Sequence, residues 1–319
     1  MEPMLRKLGL RYPLFQGGMA WVATGHLAAA VSEAGGLGII GAGHAPAAYV
    51  KEQIAIAKAH TNKPFGVNVM LLSPYVAEVI EVVAAAQVAV VTTGAGDPSR
   101  YLDQLQQAGS VVLPVVPSVA LASRMARSGV DGVIAEGMES GGHIGAMTTM
   151  ALVPQVVDAI DLPVIAAGGI ADGRGVVAAL ALGASGVQMG TRFLAASETR
   201  IHPQYQQAVV AAKDVDTLVT GLYVGHAARV LKNPMSRQYL RLEKQLAIQG
   251  GDMSAVEALG NGSLRIAVQE GDPQRGSFMA GQIAGLVHEV LPAQTILDNI
   301  MQEAQQVVAS GLQERLVAP

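Results

Sequence analysis

The chain has no cysteine among its 319 residues. That removes disulfides, thiolate metal sites, iron–sulfur clusters and a cysteine nucleophile. Aromatics are scarce, with four Phe, one Trp and seven Tyr, so the core must be built from Ala, Val, Ile, Leu and Met. Charged residues make up only 14%, with a formal net charge of −4. Such a chain has no basic excess to attract nucleic acid. No apolar run reaches membrane-span length, because the best, Val76 to Val91, is broken by Glu78, Glu81 and Gln87. Arg6, Lys7 and Arg11 stand where a secretion signal needs an apolar stretch. The expectation is a soluble cytoplasmic protein with neither nucleic-acid nor membrane partners.

What is present is glycine, at 37 residues, well above the usual share of about 7%. There is no collagen period and no Gly/Ser run. With 50% hydrophobic residues, disorder is also excluded. The glycines fall mostly where hydrophobic runs end. Short Val- and Ile-rich runs begin near Tyr12, Leu37, Phe65, Val88, Val111, Val133, Pro163 and Gly186. Each is followed by a turn and a helix-like stretch. Runs such as Val111 to Val116 do not alternate, as expected of strands buried on both faces of a parallel sheet. Ser73-Pro74 and Asp97-Pro98-Ser99 are helix-start signals. Gly35, Gly109, Gly129 and Gly183 end helices. Eight such units predict an α/β chain folded as a (β/α)8 TIM barrel. A doubly wound open sheet is the alternative.

Beyond Leu194 the rhythm fails. Residues 197–275 carry helical stretches with weaker strand signals, which predicts a smaller inserted, mainly helical subdomain after strand 8. Residues 1–196 and 276–319 would form the barrel, ending in a helix from Ala293 to Leu312.

In such barrels the site lies at the carboxyl ends of the strands. Those ends include Gln16 to Met19, Gly41 to His44, Asn68 to Met70, Thr92 to Gly96, Glu136 to Gly145, Ala167 to Ile170 and Met189 to Arg192. Glycine crowds this rim, where it permits close backbone approach and positive φ. Gly168-Gly169 and Gly190-Thr191, after the seventh and eighth strands, stand where barrels of this kind bind phosphate. Glycines there also make tight turns. The phosphate could belong to a flavin, a nucleotide or a sugar. By contrast, Gly36-Leu37-Gly38-Ile39-Ile40-Gly41 matches the dinucleotide fingerprint in the wrong context, since it follows a helix and lies within a strand.

His143 sits between glycines in the longest strand end, exposed beside any ligand and able to exchange a proton near neutral pH. Other histidines, such as His26, His60 and His288, lie in helix-like stretches, and no pair has helical zinc spacing, so no metal is expected. Asn68 could bond a planar heterocycle or form an Asx turn. Glu136, in an apolar setting, needs a partner, either a cofactor or a salt bridge in the rim.

Taken together, these segments resemble a known family. The motifs are Tyr12-Pro13 with Phe15 to Ala23, Pro64 to Asn68, Thr92 to Gly96, Ala135 to Gly145, Ala166 to Asp172, Gly190 to Phe193 and Gly276 to Gln282. They resemble the FMN-dependent enoyl-acyl-carrier-protein reductases of type II, which share a superfamily with nitronate monooxygenases (2-nitropropane dioxygenases). Glu136 and Ile144 look like the reductases, since the monooxygenases more often carry glutamine and arginine there. The resemblance implies FMN, with NADH or NADPH as co-substrate, and reduction of trans-2-enoyl thioesters carried on acyl carrier protein. Backbone at Gly168, Gly169, Gly190 and Thr191 would hold the FMN phosphate. Met19, Asn68 and Glu136 would line the flavin, with Gly18, Thr93 and Gly142 completing the set. His143 would be catalytic, and Met279 to Gln282 would close over the cofactor or pack as core. A homodimer and monovalent-cation activation are further implications. The alternative is oxidation of alkyl nitronates with FMN and O2. Arg229, Lys232, Arg237, Arg241 and Lys244 form a basic cluster for the acidic carrier protein, or else an ordinary solvated face.

Overall fold

The computed structural model describes residues 2–310. Eight parallel strands close into a barrel in chain order. They are β1 (Leu14–Gln16), β2 (Leu37–Gly43), β3 (Gly66–Met70), β4 (Val90–Gly94), β5 (Val111–Val116), β6 (Val133–Glu136), then, after the two-residue β7 (Gly142–His143), β8 (Val164–Ala167) and β9 (Gly186–Met189). Every barrel strand begins within two residues of its expected start. After a first short helix, α1 (Pro3–Lys7), the crossover helices are α2 (Gly25–Glu33), α3 (Ala47–His60), α4 (Val76–Ala85), α5 (Leu102–Gln107), α6 (Val119–Arg127), α7 (Thr149–Ala159) and α8 (Gly173–Ala181).

The two faces of the strands make two cores, because side chains alternate along a strand. Inward-facing Phe15, Leu37, Ile39, Val90, Leu113, Ile134 and Ile165 fill the barrel, joined by Leu5 of α1, which plugs the amino-terminal end. Outward-facing Leu14, Ile40, Val67, Val91, Val112 and Val187 pack against Leu27, Ile54, Ile80, Leu105, Met125 and Leu152 of the helices. Burying each large aliphatic side chain is worth about 1.5–3 kcal/mol. Gly38 belongs to this outer interface. A Cβ built there would lie 1.9 Å from the Ala28 oxygen. Of the fingerprint-like glycines, Gly38 thus serves the close seating of α2 on β2.

After β9 come α9 (Thr191–Leu194) and α10 (Pro203–Val210), then an antiparallel hairpin of β10 (Thr217–Thr220) and β11 (Ala228–Leu231). Next are α11 (Pro234–Gln249), α12 (Ser254–Gly260) and α13 (Ser263–Glu270). This segment is mainly helical, but its hairpin is a feature that the weak strand signals did not locate. β11 pairs with β7, forming a three-stranded sheet in the order β10-β11-β7.

The chain then returns through a 3-10 turn, Gln282–Leu286, to α14 (Ala293–Ala309), which packs between α8 and α2 as the barrel's eighth outer helix. Gly173 makes that fit close, with its N–H donating to Glu303 Oε2 at 2.8 Å. The expected helix end at Leu312 lies outside the described residues. His288 follows the 3-10 turn and is not helical. Among the described residues no helix is long and apolar enough to cross a membrane.

Candidate active site

The alternation that fills the barrel also dictates its mouth. Two residues beyond the apolar layer, the inward positions become polar: Asn68 on β3, Thr92 on β4, Glu136 on β6 and Gln188 on β9. Asn68 Nδ2 donates to Thr92 Oγ1 at 2.9 Å. Gln188 Oε1 is buried with no hydrogen-bond partner. An unpaired buried carbonyl is costly, so this atom is available to a ligand's donor. Gln188 and Thr92 were not singled out from the sequence. Their signal is a polar residue at inward parity in an otherwise apolar run.

Glu136 is held by Ser140, whose hydroxyl donates to Oε1 at 3.2 Å. Burial pushes its carboxyl up to about 7, partly opposed by that hydrogen bond. The rim salt bridge considered from sequence is absent, since none of the ion pairs among the described residues involves Glu136. At neutral pH Glu136 is therefore both donor and acceptor.

The glycine loops gather around this layer. A Cβ on Gly18 would lie 2.2 Å from Asn68 Cβ, and one on Gly41 would lie 2.4 Å from the Met19 oxygen. Met19 in turn faces Gly190, its Sδ 3.5 Å from where a Gly190 Cβ would stand. Gly168 and Gly169 have φ of 91° and 70°, the left-handed region open to glycine. A Cβ on Gly168 would press to 2.8 Å from the Gly137 oxygen. Thr191 Oγ1 accepts from Gly281 N–H at 2.8 Å, which ties the returning segment to the end of β9. These positions form a backbone cradle beside a polar, inward-facing layer, suited to a phosphate and a planar heterocycle.

Thr93 does not join them by its side chain. It follows inward Thr92, so its hydroxyl falls on the helix side, buried and unpaired. Met279 is half-buried, and its carbonyl accepts from Tyr205 Oη at 2.5 Å while Phe278 stacks on Tyr205 at 4.6 Å. The 279–282 segment is packed against the inserted unit and bonded to the site loop, with Gln282 N–H donating to Glu139 O at 2.9 Å.

His143 differs from the expected loop residue. It lies on β7, directly opposite Ala228 of β11, and Ile144 N–H donates to Ala227 O at 2.9 Å. The residue is exposed. Loss of hydration, then the neighbouring imidazoles of His226 and His44, lower its pKa below the ordinary value. The ring is thus neutral at pH 7, with one donor and one acceptor nitrogen. Glu139, also missed from sequence, accepts from Thr149 N–H at 2.9 and 3.0 Å and clips the loop to the start of α7.

Of the basic cluster, Arg229 is buried. It donates to Met138 O from Nε and Nη2 at 3.1 and 3.0 Å. It braces the site and is not available to a partner. Arg237, Arg241 and Lys244 stay exposed on α11.

A closed (β/α)8 barrel with a polar constellation at its strand carboxyl ends has the architecture of a barrel enzyme. The chain belongs to the nitronate monooxygenase family, whose model, described as "Nitronate monooxygenase", matches residues 1–82 and 73–303. It is 31% identical over 351 residues to a probable nitronate monooxygenase of Staphylococcus aureus (strain JH9), covering 96% of this chain and 98% of that one. FabK from Thermotoga maritima superposes with a TM-score of 0.92 at 48% identity, over 97% of this chain and 98% of that one. A nitroalkane oxidase from Streptomyces ansochromogenes gives 0.81 at 28% identity, over 96% and 99%.

Proposed function

We propose that the protein is an FMN-dependent enoyl-acyl-carrier-protein reductase that uses NADH or NADPH to saturate trans-2-enoyl thioesters. The observation that carries this reading is the likeness to FabK, at 48% identity over nearly the whole chain. The likeness to a probable nitronate monooxygenase and to a nitroalkane oxidase is weaker, at 31% and 28%. Glu136 and Ile144, the reductase-like choices within 135–145, agree with it.

The fit of FMN rests on the orphaned Gln188 Oε1, the titrating Glu136 carboxyl and the glycine cradle. Gly168, Gly169, Gly190 and Thr191 would hold its phosphate through backbone N–H groups. Gly18, Met19, Asn68, Glu136 and Gln188 would face its ring system. When bound, FMN supplies the hydride chemistry between nicotinamide and enoyl thioester.

His143 then acts on the substrate side. As hydride reaches Cβ, negative charge grows on the thioester oxygen. A neutral imidazole N–H aimed at that oxygen stabilises the developing enolate, and a proton reaching Cα completes the saturation. The β7–β11 pairing holds the backbone of His143 in place. Arg229 and Glu139 fix the loop that leads into the histidine.

A second reading, oxidation of alkyl nitronates, is favoured by the family model and by the names of the staphylococcal relatives. There His143 would face a nitronate. Anaerobic stopped-flow measurement separates the two. The FMN-loaded protein is reduced with NADH or NADPH and mixed with crotonyl-CoA. Rapid flavin reoxidation is expected. No reoxidation, together with fast turnover of nitroalkanes in air, would overturn the reductase reading.

A further inference from the structure

We propose that α11 is the docking surface for acyl carrier protein, through a basic stripe of Arg237, Arg241 and Lys244 that ends at Ile248. This inference rests on the reductase reading. The four residues follow one another at intervals of four, three and four. At about 100° per residue they fall within roughly 60° of arc, on one face of the helix. All are exposed, and Ile248 is 85% exposed. From Arg237 to Lys244 the charges extend about 10 Å along the axis.

The stripe is electrostatically free. None of the ion pairs among the described residues involves these three bases. The helix's one carboxylate, Glu243, is fully buried and turned to other work. Its oxygens accept the N–H groups of Gly221 at 3.0 Å and Tyr223 at 2.7 Å. On the adjoining turn before α12, Asp252 is taken up by Ser254. A chain of net charge −4 repels an acidic partner at long range. Three unpaired bases in line on a surface helix, with an apolar contact at their end, invert that field locally. Such a stripe matches an acidic helical protein that also offers an apolar contact.

Position agrees with charge. α11 begins three residues after β11, the strand paired with His143 on β7. Its start is rigid: Ser236 N–H donates to Asn233 Oδ1 at 2.8 Å, and Asn233 N–H to Ser236 Oγ at 2.9 Å. α11 is thereby tied through β11 to the β7 strand that carries the candidate catalytic histidine. Arg229 and Lys232 take no part, because the first is buried and the second bonds Val215 O.

The test is the triple variant Arg237→Glu, Arg241→Glu, Lys244→Glu. Two measurements apply: steady-state reduction of crotonyl-acyl carrier protein against crotonyl-N-acetylcysteamine, and direct binding of holo-acyl carrier protein by anisotropy. KM for the carrier-bound substrate is expected to rise about tenfold or more, with the small thioester unaffected, as expected when a docking charge acts apart from the chemistry. Carrier affinity of the wild type should fall with added salt, and that of the variant should not. Equal carrier KM and equal binding in both proteins would overturn the docking proposal. Loss of activity on the small thioester in wild type as well would instead overturn the reductase reading, and carrier binding would still be read independently.

Discussion

Arg229 donates from Nε and Nη2 to the carbonyl oxygen of Met138, at 3.1 and 3.0 Å. The guanidinium comes from the inserted hairpin, and the carbonyl belongs to the glycine loop that leads into His143. Arg229 Nη1 also donates to Thr217 Oγ1 at 3.3 Å, so one side chain ties both strands of the hairpin to the site loop. Arg229→Met keeps the bulk and removes the donors. It should cost about 1.5–3 kcal/mol in stability, as for a lost hydrogen bond to a charged group. Turnover should fall more than FMN affinity. Urea denaturation and steady-state kinetics check both.

Glu136 sets a pH dependence. Its pKa rises from 4.5 to about 7 through burial. A raised carboxyl pKa makes the folded state prefer the proton. Below pH 4.5 the group is protonated folded and unfolded, and no penalty exists. Through the window from 4.5 to 7 stability is lost as pH rises. Above 7 the buried charge costs on the order of 3 kcal/mol. Glu136→Gln should remove that slope in the cofactor-free protein. Melting temperatures of both proteins from pH 4.5 to 8 provide the comparison.

His143→Ala should lower the enoyl half-reaction by about 10²-fold, the typical value of one donor to a developing oxyanion. FMN should remain bound. Because burial and two neighbouring imidazoles lower the His143 pKa, the wild-type acid limb should fall below pH 6.5. The variant should lack that limb. Single-turnover rates between pH 5 and 8 read this directly, and an unchanged rate would remove His143 from the chemistry.

Gly190 and Gly169 should separate ligand space from backbone strain. At Gly190 the φ is −107°, and a Cβ would meet only the Met19 side chain, with Sδ at 3.5 Å and Cγ at 3.9 Å. Gly190→Ala should therefore leave the fold within about 0.5 kcal/mol. It should still weaken FMN binding, because the methyl group enters the phosphate cradle. At Gly169 the φ is 70°, so alanine should add about 1 kcal/mol of strain. Thermal melts and flavin-fluorescence titration distinguish the two variants.

The barrel was legible in the sequence because its signals are local. Val111 to Val116 shows two-sided burial, Gly109 and Gly129 end the flanking helices, and eight units recur at near-even spacing. The rim followed from the fold, since strand ends converge in any closed barrel. The hairpin Thr217–Leu231 was harder to see. Thr217 to Val219 and His226 to Ala228 are mixed in polarity, and their pairing spans residues far from β7. Arg229 misled for the same reason. In sequence it stands among exposed bases, and only the β7–β11 pairing buries it.

Composition, period and glycine-flanked motifs pointed to a (β/α)8 core, its glycine-rich strand ends and His143 as the candidate catalytic residue, because each depends on patterns within a few residues. Tertiary structure decided the rest. Inward parity separated Thr92 and Gln188 from Thr93. Burial moved Glu136 into the neutral range, and Arg229 turned inward while Arg237, Arg241 and Lys244 stayed outside. Burial at those positions comes from neighbours distant in the chain, which no local pattern encodes, although the inward parity of Thr92 and Gln188 can be read along each strand.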